Sequence, residues 1–366
     1  AYFNGFTRKL DGAQITASHN PPQFNGIKMF HGSGVSYSYE GMMSRIRQVA
    51  ETGKFREGAG RIEEVDDGFD DYLKYLKGRI RIREPVKLAA ECFHGSGALL
   101  TPKVFQAFGL ECLPIGSDIK ADFGGIRPEP KGENMERLRG AVLKSGANFG
   151  VAFDGDADRS VFLDEKGREY IGSYIGLLLA KDALRAGRGN IVATLDVPSA
   201  SQDIVEKAGG KLIKCRTGHT FVEEELYKNK AIVGFEQACH FYLGALYPFS
   251  DGFASALKIA EIIAKAGKPL SELLAEIKIS PTEKIYINAG THQRKDLVME
   301  RLAKKLRGKD VGDGFLLELG KHEWVLIRPS QTNPEINICA EGATPERLKQ
   351  IIAQYSQAVK DEIAAL

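Results

Sequence analysis

Between Val86 and Ile277 the chain alternates short apolar runs with helical periodicity, roughly every ten to fifteen residues, and few folds accommodate that rhythm. Val86–Ala90, Cys112–Ile115 and Phe149–Phe153 read as strands, with helices around Pro102–Phe108 and over Asn134–Lys144 between them. The alternation resumes with a helix over Tyr174–Ala186. Strands Ile191–Leu195, Lys211–Cys215 and Ala231–Val233 follow, interleaved with helices Ser201–Ala208, Phe221–Tyr227 and Gly252–Ala266, and a short helix Leu270–Ile277 comes after Pro269. A strand that crosses through a helix into the next strand builds a parallel sheet with right-handed connections. Two α/β units with parallel strands are therefore expected here.

The pattern changes on either side. Ahead lie predicted helices over Tyr37–Gly53 and Asp66–Lys77, the second with Phe69, Tyr72, Leu73 and Leu76 along one side, and a charged, glycine-rich turn Lys54–Arg61 between them. Behind come a strand Lys284–Ala289, a helix Arg294–Leu306, a hairpin of Gly314–Leu319 and Glu323–Ile327, and a strand Ile336–Ala340. An amphipathic helix over Pro345–Leu366 closes the chain, with Leu348, Ile351, Ile352, Tyr355, Val359 and Ile363 on one face. Paired strands with two helices suggest a small α+β domain.

At 366 residues the chain exceeds one ordinary domain and suggests roughly two to four. A net charge of +2 supplies no global field for nucleic acid or an anionic membrane, so a polyanionic ligand must be bound locally. The basic residues are scattered without interleaved aromatics, which argues against a nucleic-acid partner. Five cysteines, an odd number without a C-x-x-C pair, point to reduced thiols in a cytoplasmic protein. No apolar run reaches the length of a membrane span, and no signal peptide is visible.

Asp154-Gly155-Asp156-Ala157-Asp158-Arg159 is the strongest chemical signal. Its three carboxylates follow the strand Phe149–Phe153, at the carboxyl end where α/β sites form. Oxygen donors at this density repel one another unless a hard cation neutralises them, which makes Mg2+ or Ca2+ the natural guest. A calcium EF-hand loop fails. Glu165 falls at its twelfth position, but Arg159 stands where a glycine is required and the flanks read as strands. The plainer alternative is a solvated acidic turn beside Arg159.

Three other stretches are weak alone. Thr16-Ala17-Ser18-His19-Asn20-Pro21 sets a hydroxyl on a polar turn, and Ser18 is the candidate nucleophile. A serine needs activation or prior charging. His19 is its immediate neighbour, and adjacent side chains normally point apart, so no Ser–His dyad is expected. In Gly234-Phe235-Glu236-Gln237-Ala238-Cys239-His240, Glu236 and His240 could bracket sugar hydroxyls, although an ordinary strand end reads equally well. Arg328-Pro329-Ser330-Gln331-Thr332-Asn333 offers many donors and no acceptor charge, which suits phosphate. The same residues also make plain turns.

Together and in this order, TASHNP, DGDADR, G-x-E-x-x-x-H and RPSxT resemble the α-D-phosphohexomutase family of phosphomannomutases, phosphoglucomutases and phosphoglucosamine mutases. The resemblance implies three α/β mixed-sheet domains plus a small α+β C-terminal domain around a central cleft. The phosphoserine loop would lie in residues 1–72, a domain incomplete at its N-terminus since the chain begins at Ala1 close to the serine. The metal loop would lie in 73–168, the sugar loop in 169–281 and the phosphate-binding domain in 282–366.

By the same resemblance Ser18 carries a phosphoryl group at rest, gives it to a sugar phosphate, and takes back the other phosphate from the resulting hexose bisphosphate, which also serves as activator. Asp154, Asp156, Asp158 and Ser18 would hold one Mg2+, with Arg159 a fixed charge beside it. Lys28 would move a proton or touch phosphate, and His19 and Asn20 would line the pocket. Glu236 would hold sugar hydroxyls with His240 nearby, Thr217-Gly218-His219 would separate the two sugar orientations, and Arg328, Ser330, Thr332 and Asn333 would grip the non-reacting phosphate.

The implied activity interconverts hexose 1- and 6-phosphates of mannose or glucose. The alternatives are a phosphoglucosamine or pentose-phosphate mutase and, in another class, a non-catalytic sugar-phosphate-binding protein. Four departures from the family pattern keep them open. Ala238 stands where the sugar loop usually has serine, Gln331 and Asn333 alter the phosphate loop, and Asn337 replaces an arginine. That last loss removes a charge-assisted contact worth about 1.5–3 kcal/mol. Gln237 after the glutamate matches bacterial phosphoglucosamine mutases.

Overall fold

In the computed structural model, which describes residues 1–65, 68–330 and 333–366, each sheet is completed before the chain starts the next. Helix α1 (Tyr2–Arg8) leads into an antiparallel hairpin of β1 (Gly12–Ile15) and β2 (Ile27–Phe30), with Ile15 opposite Ile27. The helix expected over Tyr37–Gly53 is broken. A wide turn at Tyr39–Met43 leaves helical geometry at Gly41, and only α2 (Ser44–Thr52) is regular. Helix α3 (Gly68–Lys77) buries Tyr72 and Leu76 as its spacing requires, while Asp66 and Asp67, expected to start it, lie outside the described residues.

The second sheet collects β3 (Lys87–Glu91), β4 (Glu111–Ile115), β5 (Phe149–Phe153), β6 (Ser160–Asp164) and β7 (Glu169–Tyr170) in the order β4-β3-β5-β6-β7. Helices α4 (Thr101–Ala107) and α5 (Glu136–Ser145) make its crossovers. Strands β4, β3 and β5 are parallel, but β6 and β7 return antiparallel, with Phe153 opposite Ser160. The sheet is therefore mixed where the strand–helix rhythm implied a parallel one. The aspartate loop turns the chain straight back instead of feeding a helix.

Helix α6 (Gly172–Leu184) precedes the third sheet, in which β8 (Asn190–Thr194), β9 (Lys211–Cys215), β10 (Val233–Phe235) and β11 (Phe241–Tyr242) take the order β11-β10-β8-β9. It is parallel except at β10–β11. Helices α7 (Ala200–Lys207), α8 (His219–Asn229), α9 (Gly252–Ala266) and α10 (Leu270–Ala275) complete the unit. Asp251 caps α9 by accepting from the Ala254 amide at 3.0 Å, and its other oxygen accepts from Tyr72 and Tyr247 at 2.8 Å, which ties α3 to this unit.

The last sheet is antiparallel, ordered β12 (Thr282–Asn288), β16 (Glu335–Glu341), β15 (Glu323–Pro329), β14 (Phe315–Gly320), β13 (Lys309–Asp310). Helices α11 (His292–Leu306) and α12 (Pro345–Ala364) cover one face. Thr344 caps α12, with Pro345 at its first position, and Leu348, Ile351, Tyr355 and Val359 are its buried stripe.

Apolar packing divides the molecule unevenly. One continuous core runs from Phe3 through Leu76, Phe149 and Phe235 to Leu274, so the first three units pack as one body. The last unit keeps its own core around Val298, Phe315, Ile338 and Ile351. It meets the third across a small seam in which its own Trp324, Leu326, Cys339 and Val311 pack with Leu195 of the third. No described helix is long and apolar enough to cross a membrane.

Candidate active site

Ser18 sits in the left-handed region at φ 55°, which tips its side chain toward the aspartate loop. Thr16 holds the turn: its Oγ1 accepts from the Ser18 amide at 2.9 Å and donates to Asp156 Oδ2 at 2.9 Å. The Ser18 hydroxyl donates to Asp154 Oδ2 at 2.9 Å and accepts from Arg159 Nη2 at 3.3 Å. His19 Nδ1 lies 3.2 Å from the same oxygen. The expectation that these neighbours point apart is thus corrected: the two side chains converge on one point of the loop. Burial, with the charge of Arg159 second, lowers the His19 pKa and keeps the ring neutral.

Asp154 is fully buried at the end of β5. Its Oδ1 accepts from the Arg159 amide at 3.1 Å and its Oδ2 from Arg159 Nε at 2.8 Å. Oxygens of Asp154, Asp156 and Asp158 come within 4.8 Å of one another. Lys28 Nζ, brought by β2, donates to Asp156 Oδ2 at 2.8 Å and Asp158 Oδ2 at 2.7 Å. Burial alone would push that ammonium's pKa down, but the two carboxylates outweigh it and the pKa is raised. The opposite oxygens, Asp156 Oδ1 and Asp158 Oδ1, are buried with no hydrogen-bond partner among the described residues. Two orphaned hard donors beside a third carboxylate fit a divalent cation.

The third unit is clasped to this loop by main chain. The Ser160 amide donates to the Cys239 carbonyl at 3.1 Å, and Arg159 pairs with His240 in a short antiparallel bridge. His240 Nδ1 lies 3.7 Å from Asp158 Oδ1, and its ring centroid 6.5 Å from that of His219. Burial pushes the His240 pKa down to about 3. Glu236, at the end of β10, is also buried. Tyr242 donates its hydroxyl to Glu236 Oε1 at 2.6 Å and the Gly218 amide to Oε2 at 3.2 Å, yet burial still raises its pKa to about 7.

Arg328 reaches this second cluster from β15, its Nη1 lying 3.5 Å from the Thr217 carbonyl and 3.0 Å from Asp313 Oδ2. The other phosphate-loop candidates engage one another: the Asn333 amide donates to Ser330 Oγ at 3.2 Å. Thr332 lies outside the described residues, and Asn20 is exposed. Asn337 is buried opposite Arg328 in the β15–β16 register, its Oδ1 without a hydrogen-bond partner among the described residues. Sequence reasoning missed Thr16, Tyr242 and Asp313. Only Thr16 carried a signal, lying inside the serine hexapeptide.

Comparison with known proteins adds to this geometry. Residues 2–57, 70–167 and 171–279 match the phosphoglucomutase/phosphomannomutase alpha/beta/alpha domains I, II and III in turn. A "Probable phosphoglucosamine mutase" of Methanothermobacter thermautotrophicus is 34% identical over 93% of this chain and 76% of its own length. The chain belongs to the α-D-phosphohexomutase superfamily.

As a phosphohexomutase it is an intramolecular phosphotransferase acting on sugar phosphates. The phosphoglucosamine mutase of Carboxydothermus hydrogenoformans is 31% identical over 100% of this phosphohexomutase and 81% of its own chain. A phosphoglucomutase/phosphomannomutase family protein from Burkholderia thailandensis superposes with a TM-score of 0.84 at 25% identity, over 96% of this chain and 76% of that one.

Proposed function

We propose that this phosphohexomutase interconverts glucosamine 6-phosphate and glucosamine 1-phosphate through a phosphoserine at Ser18. The contact of the Ser18 hydroxyl with the aspartate loop carries the mechanistic half of this reading. The sugar shifts from the mannose or glucose expected of the motifs. Support for that shift comes from full-length relatives named as phosphoglucosamine mutases and from Gln237 beside Glu236.

The phosphorylated Ser18 donates its phosphoryl group to the free hydroxyl of the bound sugar monophosphate. The O–P bond at Ser18 breaks as one forms at the sugar oxygen, the sugar hydroxyl's proton ends on the Ser18 oxygen, and a hexosamine bisphosphate results. That intermediate turns over and returns its other phosphate to Ser18. When Ser18 takes the phosphoryl back, its hydroxyl proton needs an acceptor, and neutral His19 Nδ1 at 3.2 Å is in reach. Arg159 and Lys28, both held as cations, offset charge on the phosphoryl oxygens. A Mg2+ ion, suited to the hard oxygen set of Asp154, Asp156, Asp158 and a Ser18 oxygen, would supply further charge neutralisation when bound. Glu236 would orient sugar hydroxyls, His240 and the Thr217-Gly218-His219 loop would line the sugar, and Arg328 with Ser330 and Asn333 would hold the distal phosphate.

The test supplies Mg2+-loaded protein and a trace of the matching bisphosphate with glucosamine, glucose and mannose monophosphates in parallel, following products by phosphorus NMR. A kcat/KM at least about tenfold higher on glucosamine phosphate is expected. Faster turnover of mannose or glucose phosphate would overturn the substrate assignment.

A further inference from the structure

We propose that Asp313 is a built-in competitor for the phosphate at Arg328. Its carboxylate occupies the guanidinium until a phosphate displaces it, and so sets how tightly this end of the cleft holds its ligand. The proposal rests on the reading of Arg328 as a phosphate ligand.

Asp313 stands in the turn between β13 and β14, and its Oδ2 lies 3.0 Å from Arg328 Nη1, each side chain only 15% exposed. The turn is wedged into place. Gly312 adopts φ 94°, and a Cβ on it would fall 2.9 Å from Arg216 Cδ. A Cβ on Gly314 would fall 2.3 Å from the Ile327 carbonyl oxygen and 2.6 Å from Arg328 Cβ. The Val311 amide donates to the Gly314 carbonyl at 3.0 Å, and the Gly312 amide to Asp310 Oδ1 at 2.8 Å, closing the turn behind the carboxylate. Glycines on both sides thus let one acidic residue enter between two arginines.

Arg216 already has a carboxylate of its own. Its guanidinium donates to both oxygens of Glu40 at 3.0 and 2.9 Å and stacks 3.8 Å over the Phe221 ring. Asp313 is therefore matched to Arg328. Asn337, opposite Arg328 in the strand register, is neutral. The other carboxylate that feels the charge of this arginine is Glu236, which is already engaged by Tyr242 and the Gly218 amide. A phosphate dianion binds a guanidinium through two oxygens and with more charge than a carboxylate, so it can displace Asp313. The N–H that Asp313 takes from Nη1 is closed to phosphate while the pair stands, and the carboxylate's charge repels the dianion. The observed affinity is therefore reduced by the fraction of molecules in which Arg328 is engaged. A reaction whose intermediate must release its distal phosphate to turn round gains from a grip weakened in this way.

If Asp313 instead merely aims Arg328, its removal weakens binding, so the two roles have opposite signs. Asp313→Asn keeps the side-chain shape, and Asp313→Ser is read alongside it with melting curves for both. With the full chain, titration of inorganic phosphate and of glucosamine 6-phosphate into Asp313→Asn should show about fivefold tighter binding than wild type, with KM and kcat both lowered. Unchanged or weaker binding in both variants would overturn the proposal. Arg328→Ala separates the underlying reading. Phosphate affinity equal to wild type in Arg328→Ala sinks the phosphate grip and the competitor with it. At least about tenfold weaker binding there, without tightening in the Asp313 variants, sinks the competitor alone.

Discussion

The Ser18 hydroxyl donates to Asp154 Oδ2 at 2.9 Å across 136 positions of sequence. Gly155 permits the approach, because a Cβ there would lie 2.2 Å from the Ser18 carbonyl oxygen. Gly155→Ala must push the serine loop away. A displacement near 1 Å costs about a hundredfold in turnover, so kcat should fall by roughly that factor while a lesser drop in Tm shows the fold retained. Unaltered kcat would mean that the two loops do not act at this spacing.

The orphaned Asp156 Oδ1 and Asp158 Oδ1 make a separate case for a cation. Mg2+ at a hundredfold excess over its Kd should stabilise the protein by about 2.7 kcal/mol, reversibly with chelator. Replacing both residues by asparagine should abolish that response. A double variant that still gains stability from Mg2+ would place the ion elsewhere.

Glu223 of α8 accepts from the Ser36 amide at 2.7 Å, and burial pushes its pKa up to about 8. The folded chain therefore holds a proton there that the unfolded chain has lost above the ordinary carboxylate range. The contribution is fully present below the unfolded pKa near 4.5 and disappears as pH rises through about 8. It amounts to at most about 5 kcal/mol. Urea denaturation between pH 5 and 8 should show this decline in wild type and a flatter profile in Glu223→Gln. Parallel profiles would assign the slope to other groups.

In the sugar-binding role proposed for it, Glu236 would couple acidity to activity, since an ionised carboxylate can accept from two sugar hydroxyls and burial raises its pKa to about 7. The acidic limb of kcat/KM should lie near that value. Tyr242→Phe removes the 2.6 Å donor that favours the ionised form, so the limb should move up by about one unit. A limb that stays put would detach Glu236 from the rate.

Much of this was legible in the residues because local chemistry dictated it. The aspartates at the end of β5 marked a candidate cation site by charge density alone, and α9 falls on Gly252–Ala266 as its periodicity and flanking Asp251 and Gly267 require. What stayed hidden depended on distant partners or on very short elements. Strands β7, β11 and β13 have two residues each, too few for an alternating pattern. The hairpin return of β6 was masked because its five residues are all buried, which reads like a parallel core strand. The His19 contact depended on backbone dihedrals that the hexapeptide does not spell out, and nothing in the Gly312-Asp313-Gly314 spelling reveals that it faces Arg328.

The phosphoserine itself is open to direct measurement by intact mass spectrometry after incubation with Mg2+ and glucosamine 1,6-bisphosphate. One phosphate per chain on the wild type, located at Ser18 by fragmentation and missing from Ser18→Ala, is the expected result. A wild type that stays unmodified, or a Ser18→Ala variant phosphorylated to the same extent, would contradict a mutase built on this serine.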